Sequence, residues 1–232
     1  MSLRAILFDF NGILVDDEPL HLCLFQRVLA EEGVVMDAAD YQDRWLGLDD
    51  RDCLRAALRQ AGRSPEPAYL ARLIARKASY YQAEIRRDGF TFFPGSLELL
   101  NEVADAGWMV GVVSGALRDE IESALATAAV RARVKTVVSA DDVAESKPNP
   151  EGYQKGLEEL NSLPPLPDRL IHPHEVLAIE DSPAGLAAAN ALGLRTLGVG
   201  HTYSASALAG AEQRIERLAG LGLAGLRRLF PD

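Results

Sequence analysis

Apolar and polar positions alternate in two distinct regimes along this chain. Between Arg4 and Asp9 the run Ala-Ile-Leu-Phe is short and continuously apolar, and it stops at polar residues and Gly12, as a parallel strand buried on both faces stops at its carboxyl end. Asp9 is thereby placed at a strand tip. From about Glu18 to Gly89 the periodicity is helical, rich in Ala, Leu, Arg and Gln, with no convincing strand for about seventy residues. Leu20 to Glu32 and Arg51 to Ala61 are its clearest helices. After Phe93-Pro94-Gly95 the pattern predicts a helix near Ser96 to Ala106, the strand Trp108 to Val113, a helix at Arg118 to Thr127 and the short strand Thr136 to Ser139. A helix near Glu151 to Leu160, the strand Val176 to Ile179, a helix at Ala184 to Leu192 and the strand Arg195 to Val199 complete the series.

A run of βα units implies an α/β fold, a doubly wound parallel sheet with helices on both faces, whose ligands bind at the carboxyl ends of the strands. The all-helical block then reads as an insertion, a smaller cap domain over residues 17–90 serving as a lid, with the α/β core made of 1–16 and 91–232. The Pro-rich segment Leu163 to Pro173 reads as a surface connection within the core.

At 232 residues and 48% hydrophobic, the chain is long enough to bury a full core. No apolar run reaches the roughly 18 residues a membrane span needs, and Met1-Ser2-Leu3-Arg4 lacks the layout of a signal peptide, so a cytoplasmic location with no membrane partner is the expectation. A formal net charge of −10 argues against nucleic acid as a partner by bulk electrostatics, while a small phosphorylated metabolite needs only a local positive site. Cys23 and Cys53 lie in helical stretches with no CxxC partner or nearby His at ligand spacing, and both read as reduced, buried thiols. The expected state is a monomer or weak homodimer.

Four polar clusters fall just after predicted strands. Phe8-Asp9-Phe10-Asn11-Gly12 sets a carboxylate before a Gly-containing turn that turns backbone groups toward a ligand, or it is a polar strand cap. Val112-Val113-Ser114-Gly115-Ala116 offers a hydroxyl and free backbone N–H groups that suit a phosphate oxygen, or Ser114 is a plain helix cap. Ser146-Lys147-Pro148-Asn149-Pro150 holds a Lys on a turn before a helix, where a solvated Lys is the alternative. In Ile179-Glu180-Asp181-Ser182-Pro183-Ala184-Gly185, two adjacent carboxylates at a strand end call for a hard divalent cation, or they suit a helix dipole.

Taken in order, DFNGILVDDEPLH, VVSGA, SKPNPEGY and IEDSPAG resemble the four motifs of the haloacid dehalogenase (HAD) superfamily. The resemblance spans nearly the whole chain and is closest to the subgroup with a helical cap inserted after the first motif, similar to phosphoglycolate phosphatases and β-phosphoglucomutases. It extends to Glu18-Pro19-Leu20-His21 at the cap entrance and to Gly47-Leu48-Asp49-Asp50-Arg51, similar to the cap loop that contacts substrate.

This resemblance implies a phosphatase in which Asp9 attacks phosphorus and becomes an aspartyl phosphate. It implies Mg²⁺ as cofactor, held by Asp9, the backbone carbonyl of Asn11 and Asp181, with Glu180 ligating through water or orienting the ligands. Ser114 with Gly115 and Lys147 would bind phosphoryl oxygens, and His21 and Arg51 would contact substrate from the cap, or His21 is a satisfied helix residue and Arg51 a solvated charge at a helix start. Arg118 would suit a phosphate or cap contact. The departure is Asn11, where the family carries the Asp that protonates the leaving oxygen and then activates water. An amide donates a hydrogen bond but relays no proton. Three readings follow: a phosphatase restricted to good leaving groups, a phosphatase whose relay has moved to His21 or a carboxylate among Asp16, Asp17 and Glu18, and an impaired phosphate-binding protein. A phosphomutase shares all four clusters and stands as a further alternative, whereas the acidic pair disfavours dehalogenation.

Overall fold

The computed structural model describes residues 3–231; Met1 and Ser2 of the segment read against a signal peptide lie outside them. It divides into two compact units, one holding the described residues up to Asp16 and from Phe92 onward, the other Asp17–Thr91.

The first unit is built on strands β1 (Ala5–Phe8), β2 (Met109–Val113), β3 (Thr136–Val138), β4 (Val176–Glu180), β5 (Arg195–Val199) and β6 (Gln213–Ile215). All pairings are parallel, in the order β3-β2-β1-β4-β5-β6. β1 is central and wholly buried, which is why Ala-Ile-Leu-Phe carries no polar residue. One face is filled by Leu7, Val113, Val138, Val176 and Ala178 packed with Tyr153 and Leu160 of one helix and Ala188 and Ala189 of another. The strand order reverses direction between β1 and β4, and the crevice at such a reversal lies above the carboxyl ends of these two strands. Asp9 follows β1 there, and Glu180 ends β4.

The helices of this unit are α5 (Ser96–Asp105), α6 (Arg118–Thr127), α7 (Glu151–Ser162), α8 (Pro183–Ala191) and α9 (Gly222–Leu229), after the four helices of the other unit in chain order. Each strand-to-helix unit expected from the alternation is present. β6 and α9 extend the series beyond Val199: β6 is three residues with a half-exposed pattern, too short and polar at the sheet edge to stand out by periodicity.

The second unit holds α1 (Glu18–Glu31), α2 (Ala38–Asp40) running into a π-helical stretch Tyr41–Trp45, α3 (Asp50–Gln60) and α4 (Pro67–Asp88). α1 buries His21, Leu24, Phe25, Val28 and Leu29, and α4 buries Leu70, Leu73, Lys77 and Tyr81, both at helical spacing. Cys23 falls off the α1 stripe and is exposed, which corrects the expectation that both thiols are buried; Cys53 is buried as expected. Among the described residues no helix is long and apolar enough to cross a membrane.

Candidate active site

The chain leaves β1 through a tight turn. The Asp9 amide donates to the Ile179 carbonyl at 3.0 Å, and the Leu14 and Val15 amides both return to the Phe10 carbonyl, at 2.8 and 3.0 Å. Gly12, at φ 75°, is required here: a Cβ would lie 1.8 Å from Asp181 Oδ2. The turn is therefore pressed directly against the carboxylate of Asp181, the residue after β4. The Asp9 carboxylate accepts from the Phe10 amide at 2.7 Å and is buried.

Ser114 follows β2, its amide donating to the Val138 carbonyl at 2.9 Å. Its hydroxyl accepts from the Ala116 amide at 3.1 Å and reaches Asn11 Oδ1 at 3.4 Å, a long contact. Since α6 begins only at Arg118, Ser114 is not its cap; Gly115, half-buried, lies between them. Arg118 is committed elsewhere, donating to the Val137 carbonyl and to Asp142, which counts against a phosphate role.

Lys147 is not a solvated surface residue. Its ammonium lies 2.9 Å from Asp9 Oδ1 and 2.7 Å from Glu180 Oε1, and it donates to the Val113 carbonyl at 3.0 Å. Burial opposes its charge, but Asp9 and Glu180 outweigh burial and hold its pKa above the usual lysine value. Glu180 is completely buried, accepting from Tyr153 at 2.5 Å and from Ser182 at 3.2 Å, so β4, α7 and the start of α8 all fix it. Burial, then Asp9, pushes Glu180 up to about 7 against the pull of Lys147 and Tyr153. Asp181 is raised by burial and by both neighbouring carboxylates, while Thr202 and Lys147 act the other way.

Asp9, Glu180 and Asp181 can each present an oxygen so that all three atoms lie within 4.8 Å of one another. One lysine is set among three buried carboxylates, and burial, then repulsion from the neighbouring carboxylates, raises the pKa values of Glu180 and Asp181. A divalent cation bound through oxygen relieves that repulsion, and the all-carboxylate donor set suits a hard ion.

The pattern along the chain gave no sign of His201 and Thr202, which follow β5. His201 Nδ1 lies 2.7 Å from the Gly12 carbonyl, and its ring stacks on Phe93 at 4.0 Å between centroids. The Thr202 hydroxyl donates to Asp181. No acidic residue adjoins them, and the only signals available were Gly198 and Gly200 just before them and their position after a strand.

Within the helical unit, His21 is buried between Lys77, whose ammonium is 2.7 Å from Nδ1, and Asp17, whose Oδ2 is 3.3 Å from Nε2. An ammonium only donates, so Nδ1 accepts and the ring proton is on Nε2, facing Asp17. Asp17 also accepts from Tyr81 at 2.6 Å, and Glu18 accepts from Tyr41. Asp16 is exposed, and Arg51 is half-buried in the first turn of α3, behind Asp49, whose side chain caps that helix by accepting from the Asp52 amide at 2.7 Å.

The family model described as haloacid dehalogenase-like hydrolase matches residues 6–199. The chain belongs to the haloacid dehalogenase-like hydrolases. It is 29% identical over 216 residues, 93% of this chain and 94% of the relative, to validoxylamine A 7'-phosphate phosphatase of Streptomyces hygroscopicus subsp. limoneus. It is 30% identical over 237 residues, 99% of both chains, to protein CbbY of Cereibacter sphaeroides. The solved structure of CbbY from Rhodobacter sphaeroides in complex with phosphate superimposes with a TM-score of 0.84 at 28% identity, covering 97% of this chain and 99% of that one. Within this family the chain is a phosphoric-monoester hydrolase.

Proposed function

We propose that this HAD-like hydrolase is a Mg²⁺-dependent phosphatase of a small phosphorylated metabolite, working through phosphorylated Asp9, with Asn11 at the acid/base position. The observation that carries this reading is the buried Asp9–Glu180–Asp181 cluster with Lys147 bridging Asp9 and Glu180. Asp9, Asp181 and the Asn11 carbonyl would hold Mg²⁺, which when bound neutralises charge between carboxylate and phosphate and orients the phosphoryl group. Asp9 Oδ forms a bond to phosphorus as the bond to the leaving oxygen breaks. Lys147 and the Ser114 hydroxyl bind the equatorial oxygens, where charge is spread in the transition state. Glu180, locked by Tyr153 and Ser182, holds Lys147 in place from behind.

Asn11 divides the two half-reactions. An acyl phosphate, pyrophosphate or activated aryl phosphate departs as a stable anion and needs no proton, so the first step runs. Hydrolysis of phosphorylated Asp9 then lacks a base at Asn11, and a missing acid/base group costs about 10² to 10⁴ in rate. Good leaving groups are the favoured substrate class, with hydrolysis of the aspartyl phosphate as the slow step.

The test is a Mg²⁺-dependent screen over sugar phosphates, phosphoglycolate, acyl phosphates, pyrophosphate and an activated aryl phosphate, beside Asp9→Asn. Mg²⁺-dependent release that favours the last three classes and vanishes in Asp9→Asn is expected. Activity that survives Asp9→Asn would remove Asp9 as the nucleophile.

A further inference from the structure

We propose that the turn after β5 is a fifth strand-end station of this site, in which Thr202 positions the Asp181 carboxylate and His201 pins the Gly12 carbonyl. Both are positioning residues for metal binding. The inference rests on the reading of Asp9, Asn11 and Asp181 as metal ligands.

The geometry is specific. β5 ends at Val199, the Gly200 amide donates to the Ile215 carbonyl at 2.9 Å, and the His201 amide folds back to the Val199 carbonyl at 2.9 Å. This tight reversal aims two consecutive side chains at the neighbouring strand ends. A Cβ on Gly12 would lie 2.8 Å from Thr202 Oγ1 as well as 1.8 Å from Asp181 Oδ2, so hydroxyl, carboxylate and the Gly12 backbone form one close-packed trio. Within it the hydroxyl donates to Asp181, which helps fix the rotation of that carboxylate.

His201 acts on the other partner of the trio. The Gly12 carbonyl only accepts, so Nδ1 carries the ring proton and donates to it. The ring is held flat by Phe93, with 12° between planes. Phe93 in turn donates its amide to the Leu14 carbonyl at 3.0 Å, so stack and hydrogen bond grip the same turn at two points. Asn11, whose carbonyl the resemblance assigns to the metal, is the residue immediately before the gripped peptide. Outer groups that orient ligands in this way are worth about 10- to 100-fold in metal affinity.

The experiment measures Mn²⁺ binding to the full chain by loss of the free-ion EPR signal, with Mg²⁺ as competitor. Thr202→Val should weaken binding about 10- to 100-fold, Thr202→Ser should restore it to within about threefold, and His201→Phe, which keeps the stack but not the donor, should weaken it about 10-fold. Thr127→Val, removing a hydroxyl on α6, should bind as wild type. Should Thr202→Val fail to fold, Thr202→Ala serves the same comparison. Binding within twofold of wild type in both Thr202→Val and His201→Phe, with binding abolished in Asp181→Asn, would overturn the inference and leave the metal site standing. Unchanged binding in Asp181→Asn would overturn the metal assignment itself.

Discussion

Asn11 is the residue whose chemistry most limits this site. Replacing it by Asp restores a group that both donates and accepts a proton, so Asn11→Asp is expected to raise hydrolysis of alkyl phosphates by about 10² or more and of acyl phosphates by much less. Steady-state rates against leaving-group pKa give the answer: equal slowing of every substrate would mean that Asn11 does something other than stand in for an acid. A companion expectation concerns the slow second step. Rapid mixing with an acyl phosphate should give a burst of phosphorylated protein, read as a mass gain on Asp9, and the burst should shrink in Asn11→Asp. Tyr153→Phe removes one donor from a buried carboxylate while keeping the ring, which costs about 1–3 kcal/mol in chemical denaturation. Asp9, Asn11, Ser114, Glu180 and Asp181 were legible because polar residues at the end of an apolar run are conspicuous, whereas Lys147, behind Ala144-Glu145-Ser146, stood out only through the resemblance of its motif. His201 and Thr202 were not, since their partners are 189 residues away for His201 and 21 for Thr202, and only the sheet brings them together.

At the level of elements, the βα alternation was readable because the helices between the core strands carry buried stripes, as α5 and α7 do, and even three-residue β3 is wholly buried. β6 was not, because an edge strand buries little and keeps its polar residues. The turn leading into β4 carries a pH dependence. Glu175 accepts from Arg169 and from the His172 amide, and these bonds, that from Arg169 above all, hold its pKa down at about 2. A depressed carboxyl pKa contributes stability above its unfolded value near 4.3 that is lost as pH falls toward 2. Thermal unfolding should therefore separate wild type from Glu175→Gln at pH 6 and bring the two together near pH 2. In the sheet itself, Leu7→Ala opens a cavity at the centre of β1 and is expected to cost about 2–5 kcal/mol in denaturant unfolding.

The whole molecule combines a net charge of −10 with a site whose cation, Lys147, is already paired to Asp9 and Glu180. A site with surplus buried negative charge is stabilised by the ion that fills it. Mg²⁺ at about 100 times its Kd should stabilise the fold by about 2.7 kcal/mol, seen as a rise in Tm, and Asp181→Asn should lose that rise. The two thiols separate just as cleanly. Cys53 is buried, and that burial raises its pKa well beyond the range where thiolate forms in neutral solution, whereas Cys23 stands exposed on α1. The natural chain thus arrives with a single addressable handle: a maleimide dye added at neutral pH marks the helical unit at one position, and fluorescence can follow that unit through turnover without engineering a cysteine.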